Sequence, residues 1–276
     1  FCVGRIGFHL GKNQRDRLVA MARSDDPEQA AATMTALGNS GDPKALDILM
    51  PIMNDKQADS PSRRVAAKCL AKIPAGAERL LKAQEEGKLE QLLQSAVAFD
   101  LNRSTVPKIR NRAAKLFPLP ATKNSALPPI DQLLKRRGNS ADGGKVFATT
   151  AECAKCHVVG KQGKDIGPNL SEIGSKLSRE ALFESILFPS AGVSHNYEGY
   201  VIETEDGLVI SGILVSKTAD KVVLKTVEGI QREVAVNNIA EMSKLATSLM
   251  PADIQKTMTL KNLVDVVEYL QTLKKK

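Results

Sequence analysis

The sequence contains no tryptophan, and aromatic residues make up only 4% of its 276 residues. A hydrophobic core must therefore consist mainly of aliphatic side chains. No apolar run approaches the roughly 20 residues that a membrane-spanning helix needs, so the sequence predicts no transmembrane segment. With 42% hydrophobic and 25% charged residues, the composition is that of an ordinary folded protein. Since a domain typically has roughly 150 residues, the length of the chain predicts about two domains.

Motifs for several common chemistries are also missing. The sequence has no motif of the kind that supplies a catalytic nucleophile with its general base and a residue that orients that base. It also has no glycine-rich phosphate loop and no HExxH-type metal motif. It therefore gives no indication of hydrolase or kinase activity, and we predict that the chain is not itself an enzyme. Cys69 lies on an apolar helical stripe and is predicted to be buried, and a pairing with Cys2 is left open. His9 has no partner nearby in sequence.

The net charge of +8 is unevenly distributed: residues 1–138 carry +9 and residues 139–276 carry −1. A basic surface permits binding to nucleic acid or to another anionic partner. No cluster of aromatic and basic residues accompanies the charge, however, so nucleic-acid binding is not expected. The charge division instead indicates a domain boundary near the middle of the chain.

The first half has the pattern of short amphipathic helices that begin at Asp-Pro or Ser-Pro pairs, such as Asp26-Pro27. Predicted helices cover residues 27–37, 43–53, 60–73, 77–84, 89–101 and 108–117. Paired short helices with alanine at contact positions predict a HEAT-like α-solenoid over residues 1–117, although a plain helical bundle fits the periodicity equally well. Residues 118–137 begin with a proline-rich stretch and are predicted to be a linker.

The second half, residues 138–276, has a different pattern, with helices predicted at about residues 142–149, 178–188 and 261–273. Between the last two helices, alternating β-branched runs are separated by turn residues at hairpin spacing. These four runs, about residues 197–204, 208–216, 221–227 and 230–236, predict a small antiparallel β unit inserted at about 197–240. The fold class predicted for the whole chain is therefore mainly α with an inserted β unit.

The most specific motif is Cys153-Ala-Lys-Cys156-His157. C-x-x-C-H is the attachment pattern of c-type haem. Two thiols three positions apart can add to the two vinyl groups of one porphyrin, and the adjacent histidine can then bind the iron. A zinc site would need a second pair of ligands, and a thioredoxin-like dithiol would need a βαβ context. Both alternatives remain open but are less favoured by the sequence.

Candidates for the sixth position on the iron are His195, Met242, Met250 and Met258. Thioether ligation is typical of electron carriers with a raised reduction potential. Met250 precedes Pro251, which places it in a loop, whereas most methionines fill hydrophobic cores. Spacing alone favours Met250 as the sixth ligand and leaves the other three candidates open.

From about residue 138 to residue 273 the chain resembles the haem-binding cytochrome c domain of planctomycete and verrucomicrobial proteins. The matching stretches are residues 144–147, 153–157, 167–170, 184–187, 189–190, 197–198, 248–251 and 269–270. In that family the domain typically follows HEAT-like repeats at the C-terminus of large secreted dehydrogenase-like proteins. The β insertion resembles a small Sm-like barrel, and the sequence assigns no chemistry to it.

The resemblance implies that Met250 is the distal ligand of a single haem c. It also implies that the carbonyl of Pro168, after Gly167, accepts the proton on the far nitrogen of the His157 ring. The resemblance also implies that the first and last helices of the second half pack together. Gly143 and Phe147 on the first helix would contact Val266 and Tyr269 on the last. The sequence departs from the family pattern at Asn139, Asn169 and Asp253, none of which is an expected ligand.

The function expected from motif and resemblance together is electron transfer by a monohaem cytochrome c in the periplasm or another extracytoplasmic compartment. The expected partners are a dehydrogenase module as electron donor and a cytochrome or oxidase as acceptor. Two alternatives remain open: a haem sensor or peroxidase-like site with a labile sixth ligand, and a scaffold in which the helical repeats bind a protein.

Overall fold

The computed structural model describes residues 12–194 and 196–275. Cys2, His9 and His195 lie outside the described residues. The chain divides into two compact units, Phe1–Pro118 and Leu119–Lys276. It is mostly helical, with one antiparallel sheet of five strands. Across the described ranges, no helix has the combination of length and apolar character that crossing a membrane would require.

The described part of the first unit contains seven α-helices. They are α1 (Lys12–Ala22), α2 (Pro27–Ser40), α3 (Leu46–Asn54), α4 (Ser60–Lys72), α5 (Pro74–Glu85), α6 (Gln91–Asn102) and α7 (Pro107–Leu116). The sequence predicted α2 to α7 with small boundary differences and missed α1, whose residues are mostly polar and charged.

Local residue choice explains where these helices begin and end. The Asp26 carboxylate accepts hydrogen bonds from the amides of Glu28 and Gln29, and Pro27 occupies the first turn of α2. Gly41 ends the helix with a φ of 68°, a left-handed conformation that favours glycine. Capping therefore sets the limits of α2 as the Asp-Pro pattern predicted.

Helices two apart in sequence pack together in this unit: α2 contacts α4, and α4 contacts α6. The approach of α2 to α4 is close, because a Cβ at Gly38 would lie 2.7 Å from the Cβ of Cys69. Cys69 is buried and unbridged, and burial raises the pKa of its thiol to about 11. Its role is core packing, in line with the sequence prediction that it is buried.

The described part of the second unit contains five further α-helices and the sheet. The helices are α8 (Ile130–Lys135), α9 (Ser140–Ala148), α10 (Ile173–Lys176), α11 (Arg179–Leu187) and α12 (Leu260–Thr272). The strands are β1 (Gly199–Thr204), β2 (Val209–Lys217), β3 (Lys221–Lys225), β4 (Gln231–Ala235) and β5 (Ile239–Lys244).

Residues 118–137 differ from the predicted linker. All but Pro118 group with the second unit, and Ile130 and Leu133 of α8 are fully buried. The amide of Lys123 donates to the carbonyl of Met258, and the Arg179 side chain donates to the carbonyls of Leu134 and Arg136. The prolines suggested an extended spacer, but the apolar residues after them bring the segment onto the second unit.

The five strands lie in the order β4-β3-β2-β1-β5, and every pair is antiparallel. The sequence predicted four of them and missed β5, which is mostly exposed and lacks a clear alternation of apolar residues. One face has a core of Ile202, Val222, Leu224 and Val234, with Met242 packed against it. We call residues 199–244 the β unit.

The helices α9 and α12 cross at very short distance. A Cβ at Gly143 would lie 1.9 Å from the carbonyl oxygen of Asp265, so only glycine fits at this point. The rings of Phe147 and Tyr269 pack with centroids 5.6 Å apart. The Asp265 side chain is buried and accepts a hydrogen bond of 2.8 Å from the amide of Asn139. The crossing fixes the start of α9 against α12.

Gly143→Ala is expected to destabilise the protein by about 3 kcal/mol, because the added methyl group must push two helix backbones apart. Gly144→Ala is the matched control on the same helix: there the nearest atom to the new Cβ is a Tyr269 ring carbon at 3.3 Å. Ring movement and the helix propensity of alanine should keep that change within about 1 kcal/mol. Chemical denaturation followed by circular dichroism measures both, and equal stabilities for the two variants would contradict the close crossing.

Candidate functional site

The Cys153–His157 motif forms a tight turn after α9. Cys153–Lys155 is a short 3₁₀ helix, and the amides of Cys156 and His157 both donate to the carbonyl of Cys153, at 3.1 and 2.9 Å. Glu152 precedes the turn with a φ of 55° and reverses the chain there. The turn brings both thiols and the imidazole to one side, where all three line a single cavity.

The chain after the motif folds back on the turn. The amides of Ile166 and Gly167 both donate to the carbonyl of Cys156, at 3.0 and 2.6 Å. Gly163 has a φ of 97°, and a Cβ there would lie 2.0 Å from the carbonyl oxygen of His157. Glycine at this position therefore lets the returning loop lie against the motif.

The ring of His157 is held from two sides. A Cβ at Gly167 would lie 2.6 Å from Cε1 of the ring, so this backbone is in direct contact with the imidazole. The carbonyl oxygen of Pro168 lies 2.8 Å from Nδ1. Because a carbonyl can only accept, Nδ1 carries the proton, and Nε2 is the nitrogen that can bind a metal. The resemblance implied such a hydrogen bond to the carbonyl of Pro168, whereas the contact of Gly167 with the ring was not predicted.

The electrostatics of the site disfavour charged forms. Burial lowers the pKa of His157, opposed in part by the hydrogen bond to Pro168. The imidazole is therefore neutral near pH 7, which is the form that binds metals. Burial raises the pKa of Cys153 to about 12, and burial also raises that of Cys156, against the opposing effect of nearby Lys164 and Lys155. Redox-active dithiols are typically activated by a lowered thiol pKa, and burial acts in the opposite direction here.

The rest of the cavity is mainly apolar and comes from all the helices after α8. Its helical lining includes Phe147, Ile173, Leu182, Ile186, Val266 and Leu270. Two apolar residues of the β unit, Ile213 and Val227, also line it. The sequence predictions missed these two, since in the sequence each is one of many apolar residues in a strand pattern and nothing distinguishes it.

Of the sixth-ligand candidates, Met250 lines the cavity together with His157. Its loop is held by two hydrogen bonds: the amide of Met250 donates to Ser248 Oγ at 3.1 Å, and the amide of Ser248 donates to Ser190 Oγ at 3.0 Å. Met242 packs on the core of the β unit, and Met258 is buried away from the cavity lining. The structure therefore brings only Met250 of the three methionines to the site.

These groups fit a c-type haem. Two thiols, an imidazole with a free Nε2 and a thioether face one apolar cavity, and this donor set matches covalent attachment together with axial ligation of iron. A zinc site fits less well, because no group of three or more His, Cys, Asp or Glu side chains suited to a metal occurs in the described part of the chain.

Comparison with known proteins agrees with this geometry. The family model described as Cytochrome c matches residues 140–205. The matched stretch includes α9, the Cys153–His157 turn, Gly167, Pro168 and α11, and it ends before Met250. No curated protein matches the chain. The comparison therefore shows a likeness to cytochrome c over residues 140–205.

Proposed function

We propose that the second unit binds one haem c covalently and that the protein transfers electrons through it. The observation that carries this proposal is the cavity that Cys153, Cys156, His157 and Met250 line together. Each thiol would add its sulfur and its hydrogen across one vinyl group, so attachment needs no leaving group and no oxidant. The unit would then be a class I-like cytochrome c domain in which a β unit interrupts the chain before the Met250 loop.

Different residues would hold the iron and the porphyrin of the haem. His157 and Met250 would hold the iron, while Cys153 and Cys156 would hold the macrocycle. The carbonyl of Pro168 keeps the proton on Nδ1, so Nε2 would be the nitrogen that binds the iron. When bound, the haem supplies a one-electron Fe(III)/Fe(II) couple.

The surroundings favour the reduced state. A thioether ligand is soft and stabilises Fe(II), and apolar walls disfavour the additional charge of Fe(III). Both effects raise the reduction potential. A carrier, rather than an enzyme with a substrate pocket of its own, fits this arrangement, and the expected donor and acceptor are a dehydrogenase module and a cytochrome or oxidase.

The first unit would serve as a HEAT-like helical platform. The packing of α2 on α4 and of α4 on α6 supports this, because such repeats are helix pairs in which corresponding helices of successive pairs stack on one another. Its net basic charge favours docking to an acidic partner protein. We place the protein in the periplasm or another extracytoplasmic compartment, and in the context of a larger secreted dehydrogenase-like protein, because of the c-type attachment motif and the family resemblance.

Covalent attachment is tested by acid-acetone extraction of the purified protein. The haem should remain with the polypeptide, and the reduced protein should show a low-spin c-type spectrum. The double variant Cys153→Ala/Cys156→Ala should lose all covalently bound haem, because no thioether can form.

Cys69→Ala is the control for this experiment, since Cys69 is buried in the first unit and should leave attachment unchanged. Complete extraction of haem from the unaltered protein, or unchanged retention in the double variant, would contradict the proposal.

Met250→Ala is expected to abolish the sulfur-to-iron charge-transfer band of the ferric protein. Loss of the thioether should also shift the reduction equilibrium toward Fe(III) at least tenfold, which is about 59 mV for a one-electron couple. Near-infrared absorbance and a redox titration measure the two effects.

Met258→Leu and Met242→Leu serve as controls, because both side chains lie outside the cavity lining and should leave the band intact. A band that survives in Met250→Ala would show that another group holds the sixth position, and would favour the labile-site alternative.

A further inference from the structure

One end of the β unit lies at the cavity. Ile213 in the middle of β2 pairs with Gly199 at the start of β1 and with Lys225 at the end of β3. Ile213 and Val227, just beyond β3, both line the cavity. Ile213 is 8% exposed, whereas Val227 is 47% exposed and lies at the cavity rim. We call Ile213, Lys225, Val227 and Gly229 the β wall.

The β wall also contacts the loop that follows the Cys–His motif. The Lys225 ammonium donates to the backbone carbonyl of Asp165 at 2.7 Å and lies 3.4 Å from its carboxylate. A Cβ at Gly229 would lie 3.5 Å from Cδ1 of Ile166, an ordinary van der Waals distance, so the β3–β4 turn lies beside this side chain. Ile166 itself lines the cavity and is 7% exposed.

These contacts act on the segment that positions His157. Asp165 and Ile166 directly precede Gly167, which touches the imidazole ring, and Pro168, which accepts from Nδ1. On its other side the segment is held by two amide hydrogen bonds to the carbonyl of Cys156. The segment is therefore held between the motif and the β wall.

We propose that the β wall closes one side of the haem cavity and restrains the 165–168 segment, so that it limits access of water to the haem and helps set the reduction potential. The inference rests on the proposed function. Fe(III) haem carries one more positive charge than Fe(II) haem, and water stabilises the additional charge. A wall that excludes water therefore favours Fe(II).

The wall is tested first with Val227→Ser, which replaces an apolar rim residue without burying a polar group. Val215→Ser is the matched control: Val215 is 46% exposed, belongs to the same β unit and lies outside the cavity lining. We expect Val227→Ser to shift the reduction equilibrium toward Fe(III) by about threefold relative to Val215→Ser in a redox titration. Equal potentials in the two variants would overturn the role of the wall in setting the potential.

Restraint of the loop is tested with Lys225→Met, which keeps the aliphatic stem and removes the donor. Lys221→Met is the control, because Lys221 lies on the same strand and pairs with Glu233 at 2.7 Å on the surface. Hydrogen exchange of the Ile166 and Gly167 amides should become at least threefold faster in Lys225→Met than in Lys221→Met. Lys225→Arg should restore the slow exchange, and unchanged exchange in Lys225→Met would overturn the restraint.

The two readouts separate this inference from the proposed function. If the chain carries no covalent haem, the proposed function fails and with it the effect on potential, while hydrogen exchange on the same polypeptide still decides whether Lys225 restrains the loop. If haem is attached and both the potentials and the exchange rates match those of the controls, the proposed function stands and the inference fails.

Discussion

The position of the His157 ring depends on backbone contacts that leave little freedom. Gly167 lies against one part of the ring, and the carbonyl of Pro168 binds Nδ1 at 2.8 Å. Gly163 lets the loop pass against the backbone of His157 itself. Any larger residue at the two glycines would move the ring or the loop. The tautomer and the direction of Nε2 both follow from this one arrangement.

The cavity around the ring is assembled from distant parts of the second unit. The crossing of α9 and α12 at Gly143 sets the position of α9, whose C-terminal end leads directly into the Cys–His turn. Nearer the C-terminus, the hydroxyls of Ser190 and Ser248 hold the Met250 loop by accepting hydrogen bonds from its amides. Ile213 and Val227 of the β unit add apolar side chains to the lining. An insertion that the sequence analysis left without a role thus contributes to the surroundings of the site.

How much could be predicted from the sequence varied with the range of the interactions. The capped helices such as α2 were predictable because Asp26, Pro27 and Gly41 act within one or two turns. The strand β5 was not, because its place depends on pairing with β1, about forty residues earlier, and its own residues are mostly exposed. The proline-rich segment before residue 130 suggested a linker, yet buried Ile130 and Leu133 make the following residues part of the second unit.

The sequence by itself determined which chemical groups meet at the site, because two thiols and an imidazole within five residues stay close together in any local fold. It also determined the capped helices and most strands, whose signals are local. Its loop position and the family resemblance favoured Met250 from the sequence, whereas only the tertiary structure places Met250 in the cavity lining and leaves Met242 and Met258 outside it, because that lining joins distant segments. The tertiary structure alone also placed Ile213 and Val227 in the cavity lining, because such contacts join segments that nothing in their own sequence marks as neighbours.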